Sequence, residues 1–503
     1  MKLKVSILFL VLILALYGCD DLFDVEPSTS VTSEEVTTTA DGVETLRESM
    51  YNQIREQFGY TTGYFIHPSS FSDELNLRPG ATRNQALNNA VEGDGGRDHI
   101  SFWSDTYDVV QDLNLMIGEV DDEQVDMDEA QLMQYRAEAY TLRAFMFHSL
   151  ARTMGYEPGT EGAQQWDQSI VLQTSPVIER EDIEHKERAT VDEVYDQIRS
   201  DLDEAESRFT EIGGFGVQNR ANEAFMHGVR ARVELYAGEW EAAAQSAEDA
   251  INAFPGGLVS DAQGIADMFV DGGGLDEEGN PIDRNPGQHQ EALMLLTIDP
   301  DTEASTGGDS FTNNGPAGYT SDQWGAQLPT QLVIDMYEED DYRFEGWYED
   351  CYNYQDDEAF GNCDAVNDEG LSLLKFNGAK GSLVDDMPYM RLAEMYLIRA
   401  EAEAKISDNP GDGIGYLNEL REARNAEAKD AESMEDFEDL VLRERVRELA
   451  SEGHRFFDLK RLERDIQFPD GGTKFRTDSH RIISPVPLEQ LGINENLDEN
   501  PGY

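Results

Sequence analysis

The chain has 503 residues, with 38 lysines and arginines against 103 aspartates and glutamates, a formal net charge of −65. That surplus repels nucleic acid and anionic membrane surfaces, which are excluded as partners. Hydrophobic residues make up 39% and aromatics 9%, and they recur at helical spacing, so a folded core is expected rather than disorder.

A surface this acidic holds hydrated cations. In molar salt, where the screening length falls to roughly 3 Å, its self-repulsion is suppressed. A salty external medium, and a halophilic protein, are therefore expected.

Lys2 and Lys4 precede an apolar run from Val5 to Leu16, followed by Tyr17, Gly18 and Cys19. The run is too short to cross a hydrocarbon core of roughly 30 Å and reads as a secretory signal. Leu16-x-Gly18-Cys19 is a lipobox, predicting cleavage before Cys19 and acylation of its thiol. Several acyl chains on one cysteine give stable anchoring. The expected protein is lipid-anchored and does not span the membrane. The remaining cysteines, Cys351 and Cys363, lie in an acidic, aromatic-rich loop. A disulfide there, worth about 3 kcal/mol in the chain-entropy model, is favoured over free thiols in a secreted compartment.

Residues 19–40 read as a polar tether after the 1–18 signal, ahead of an N-terminal helical-repeat region (41–290) and a C-terminal region (291–503). Helical periodicity covers residues 42–57, 102–120, 128–152, 190–209, 222–237 and 241–253. Residues 58–100 and 255–330 are read as irregular loops, the second broken by a strand-like run from Ala292 to Ile298. Helices are then expected over 331–337, 388–406, 413–426 and 436–452. Ala231, Gly238, Ala243, Ala247, Ala250 and Pro255 fit the small-residue, turn and stop positions of a 34-residue tetratricopeptide repeat. Weaker copies lie around Tyr195 and Tyr396. The expected fold is mainly α, a right-handed tetratricopeptide-like superhelix with long irregular loops and few short strands forming a ligand face.

Three blocks extend this reading. The first is Arg443-Glu-Arg-Val-Arg-Glu-Leu-Ala-Ser-Glu-Gly-His-Arg-Phe-Phe-Asp-Leu-Lys-Arg461. Another runs from Met387 to Ala402, and the chain ends in Asn500-Pro501-Gly502-Tyr503. Together with the opening at Cys19 they resemble the SusD/RagB family of nutrient-capturing outer-membrane lipoproteins. The resemblance implies a binding protein rather than an enzyme, facing the extracellular medium and working with a SusC-like TonB-dependent transporter. Asp20 and Asp21 resemble the acidic export tag of such surface lipoproteins. An oligosaccharide or polysaccharide is the implied ligand. Capture of peptides or other nutrients by the same fold, or a helical-repeat adaptor that binds only protein, are the alternatives.

The residues themselves show no H-E-x-x-H, Walker or G-x-S-x-G arrangement. Setting Gly279 at the glycine of a calcium loop puts Gly274 at position 1 and Asn285 at position 12, so the EF-hand pattern fails. No cofactor is expected, although the resemblance leaves room for a structural Ca²⁺ held by another geometry. Sugar binding needs aromatic faces and paired hydrogen-bonding groups on loops. Two segments, which the resemblance also marks as the ligand-facing arc, qualify. One carries Tyr64, Phe65, Asp73, Arg78 and Arg83, and the other Asn313, Tyr319, Gln323 and Trp324. Trp103 and Trp240 are read as core.

Overall fold

The computed structural model describes residues 33–55, 62–81, 85–89, 97, 99–213, 216–269, 289–297, 327–350, 366–376, 386–468 and 471–503. Cys19, Cys351, Cys363 and the candidate calcium segment lie outside them. The longer helices are α1 (Ala40–Gln53), α2 (Thr62–Phe71), α3 (Trp103–Gly118), α4 (Glu129–Met154), α5 (Val191–Ile212), α6 (Glu223–Ala237), α7 (Trp240–Ala253), α8 (Leu392–Ser407), α9 (Pro410–Ala423), α10 (Met434–Leu449) and α11 (Arg455–Arg461).

Local chemistry sets their ends. Thr190 and Glu193 form a reciprocal capping box at the start of α5, satisfying two backbone donors that the first turn leaves unbonded. Asn222 caps α6 through the Phe225 N–H, and Gly238 closes it in the left-handed conformation at φ 72°, which a Cβ would strain. Pro410 opens α9 behind the Asn409 cap, where its missing N–H costs nothing.

Neighbouring helices pack on one another in series: α4 on α5, α6 on α7, α7 on α8 and α8 on α9. Ala231, Ala243, Ala247 and Ala250 are fully buried between α6, α7 and their neighbours. The small side chains let the backbones approach, as the repeat pattern predicts, and the tetratricopeptide-like superhelix is formed. One hydrophobic core runs from Val43 to Val486 and includes Trp103, with Trp240 packed at its edge.

The strands pair only in twos among the described residues: β1 (Leu75–Leu77) with β3 (Gln327–Pro329), β2 (Ala292–Leu296) with β6 (Met387–Arg391), β4 (Tyr348–Asp350) with β5 (Leu371–Leu373), and β7 (Ile466–Gln467) with β8 (Thr473–Phe475).

Four expectations need correction. Residues 388–391 are strand, not the start of a helix: Pro388 sits opposite Leu295 and α8 begins four residues later. Helix 331–337 is shortened to Gln331–Ile334. The 58–100 loop contains α2, whose apolar residues surround the helix on all sides, so it lacks the one-sided stripe that periodicity detects. The expected tether also ends in helix, at Ser33–Thr38, with the Thr37 carbonyl accepting from the Asp121 N–H at 3.0 Å.

Candidate ligand-binding face

The ladder β1–β3 joins the two segments that sequence singled out. Its register sets Leu75 against Pro329 and Leu77 against Gln327. The chain therefore leaves β1 at Arg78 at the same end where it arrives at β3. From that end the chain runs on toward Arg83, and it comes in there from the stretch carrying Asn313, Tyr319, Gln323 and Trp324. Those five residues lie outside the described residues. The ladder is held to the body by side chains: Ser70 Oγ donates to Gln327 Oε1 at 2.7 Å, and Thr330 Oγ1 donates to the Asp73 carbonyl at 2.9 Å. Asn367 Nδ2 donates to the Pro329 carbonyl at 2.9 Å, which brings the β4–β5 pair alongside.

The other candidates are placed differently. Tyr64 and Phe65 are each 1% exposed, so neither ring face is open to a ligand. Tyr64 packs between Phe145 and Tyr389 at 5.7 and 5.3 Å, and its hydroxyl accepts from Arg232 at 2.9 Å. Phe65 meets Phe376 edge-on at 5.7 Å. Asp73 is buried and gripped by Arg455 through two bonds of 2.8 Å. Arg78 is buried at the exit of β1. These four residues are packed into the body and do not offer side chains to a bound sugar. Residue type suggested a ligand arc, but covering elements from the distant C-terminal half close over it.

The charged run from Arg443 to Arg461 carries a buried network of ion pairs. Glu448 accepts from Arg343 and Arg391 at 2.9 and 2.8 Å and lies 3.0 Å from Arg424. Glu452 bridges Arg391 and Lys375 at 2.6 and 2.7 Å. Arg421 and Arg447 join Glu444. Burial pushes the Glu444 carboxyl up, but Arg343, Arg447 and Arg421 outweigh it and hold it at about 2. Glu74, which accepts from the Ser451 N–H at 2.6 Å, goes the other way. Burial outweighs its hydrogen bonds and distant cations and raises it to about 7. No local spacing in the sequence tells which carboxylate meets which guanidinium.

Two family models match this chain. One, described as starch-binding and associating with the outer membrane, covers residues 23–235, and the other, the SusD family, covers 375–503.

The chain belongs to the SusD family.

A SusD-like protein of Formosa agariphila is 25% identical over 99% of both chains. The starch-binding protein SusD of Bacteroides thetaiotaomicron is 32% identical over 27% of this chain and 26% of its own. Among solved structures, a SusD superfamily protein from the same Bacteroides species aligns at a TM-score of 0.75 and 20% identity, covering 94% of this chain and all of that one. A laminarin-binding SusD-like protein aligns at 0.68 and 20% identity, over 93% of this chain and all of its own. These structures establish the SusD fold.

Within this SusD fold, no group of three or more metal-ligating side chains occurs among the described residues. No described helix is long and apolar enough to cross a membrane.

Proposed function

We propose that this SusD-family chain is a surface lipoprotein, anchored in the outer membrane through acylated Cys19, that captures an oligosaccharide and delivers it to a SusC-like TonB-dependent transporter. It breaks no bond. The observation that supports the reading is the β1–β3 register, in which the chain leaves β1 toward Arg83 and enters β3 from the direction of Trp324 at the same end of the ladder. Loops held this way can present aromatic and amide groups at fixed spacing, as a polyhydroxylated ligand requires. Starch and laminarin binding by relatives support a glucan-like glycan. A glycan array run in molar salt tests it. Binding to one or a few oligosaccharides is expected, whereas retention of peptides with no glycan signal would redirect the reading. Co-purification with a barrel transporter from detergent-extracted membranes tests the partner.

A further inference from the structure

Arg152, on α4, is 2% exposed. Its guanidinium lies 4.1 Å from the centre of the Phe457 ring and 5.1 Å from that of Tyr64. Among the described residues no carboxylate pairs with it, and its Nε and Nη1 meet no acceptor. The neighbouring cations are all paired. Lys460 meets Glu157 at 2.8 Å, and Arg232 meets Glu394 at 2.6 Å. Arg445 and Arg461 share Asp458 at 2.7 and 3.0 Å, and Arg461 also takes Glu401 at 2.6 Å. Five cations thus face four carboxylates, and the surplus charge is that of Arg152.

Two buried histidines register this surplus. Burial, then Arg152, Arg232 and Lys460, hold His148 well below its ordinary range. Burial, then Arg232, Arg445, Arg152 and Arg391, do the same to His454. A chain of strongly negative net charge therefore has an electropositive interior at this point.

The groups around Arg152 are donors without acceptors. His148 lies one helical turn before it, and the rings of Tyr195 (α5) and Tyr236 (α6) stand perpendicular to His148 at 5.9 and 5.1 Å. Among the described residues the two hydroxyls and His148 Nε2 reach no partner. Burial pushes both phenols up, Tyr236 to about 12, so both keep their protons and can donate. A buried unpaired guanidinium is costly. The ring faces of Phe457 and Tyr64 offset part of that cost but supply no acceptor.

We propose that Arg152, the hydroxyls of Tyr195 and Tyr236, and His148 hold one small monovalent anion of the halide class inside the helical body. It neutralises the surplus charge and accepts from donors on three helices. Tyr236 and Arg461 also line an open surface cleft of about 290 Å³ with Pro158, Thr160, Trp240 and Glu463. Salt then acts on this protein in two ways: general screening of the acidic surface, and occupancy of one internal site.

Bromide replaces chloride and scatters anomalously. Crystals of the protein grown in sodium bromide should show an anomalous peak within hydrogen-bonding reach of Arg152 and the two tyrosine hydroxyls. Water density alone at that place overturns the proposal. In solution, melting is followed while chloride replaces methanesulfonate at constant ionic strength. The melting temperature of the native chain should climb with the logarithm of chloride concentration, as ligand linkage requires. Arg152→Met should lose that slope while keeping its response to total salt. Should Arg152→Met fail to fold, Tyr195→Phe and Tyr236→Phe, each lacking one hydroxyl, should raise the chloride midpoint several-fold. An equal chloride response in the native chain and the variants that fold overturns the proposal.

Discussion

A Cβ built on Gly453 would lie 2.1 Å from the Tyr64 carbonyl oxygen, and the Gly453 backbone has φ +79°. The glycine in the middle of the charged C-terminal run is thus the point where that run presses against α2. Only a residue without a side chain fits both the contact and the left-handed backbone. The contact couples α10 and α11 to the segment that leads into β1, and so to the base of the candidate ligand face.

Gly453→Ala should accordingly destabilise the protein by about 3 kcal/mol or more, from backbone strain and overpacking together. Gly415, exposed in α9 with nothing within 4 Å of a built Cβ, is the control. There alanine should stabilise by about 0.5–1 kcal/mol. Denaturant unfolding of both variants checks the contrast, and a neutral Gly453→Ala would contradict the packing described.

Glu74 and Glu444 predict opposite pH dependence. Between pH 4.5 and 7 folded Glu74 keeps a proton that the unfolded chain has lost. Stability therefore falls as pH rises through that window, by up to about 3 kcal/mol from this group. Folded Glu444, at about 2, contributes stability that is complete above pH 4.5 and is lost as pH falls toward 2. Glu74→Gln should flatten the decline between pH 4.5 and 7 and leave the acid limb intact. Unfolding free energies measured across pH in constant salt decide it, and an unchanged slope in Glu74→Gln would count against the buried placement.

Trp324→Ala and Tyr319→Ala should weaken glycan affinity by about 1–3 kcal/mol, the range seen at other stacking sites, and leave melting nearly unchanged. Rings that only plugged a loop into the body would behave in reverse, costing up to about 3–5 kcal/mol of stability with binding intact. Calorimetric titration and melting on the same samples in high salt separate the two.

Acylation is checked by mass spectrometry of the membrane-extracted protein, which should yield an N-terminal peptide carrying two or three acyl chains on Cys19. An unmodified N-terminus at any other residue would remove the anchor from the proposed function.

The amino-acid sequence by itself determined what depends on near neighbours in the chain. The Gly238 turn and the buried alanines of α6 and α7 are legible because turn chemistry and helical spacing act within a few residues. The run from Arg443 to Arg461, with the Met387–Ala402 block and the final Asn500–Tyr503, resembles the SusD family as a string of residues, before any contact is known. Tertiary structure alone decided which surfaces are covered. Tyr64 and Phe65 look like a sugar platform until Tyr389, Phe376 and Arg232 close on them from far along the chain. Met387–Arg391 becomes a strand because β2 offers it an edge, and Asp73 becomes structural because Arg455 arrives from a distant helix. Burial and ion pairing are set by contacts between residues remote in sequence, and no local spacing encodes which of many arginines will meet a given carboxylate.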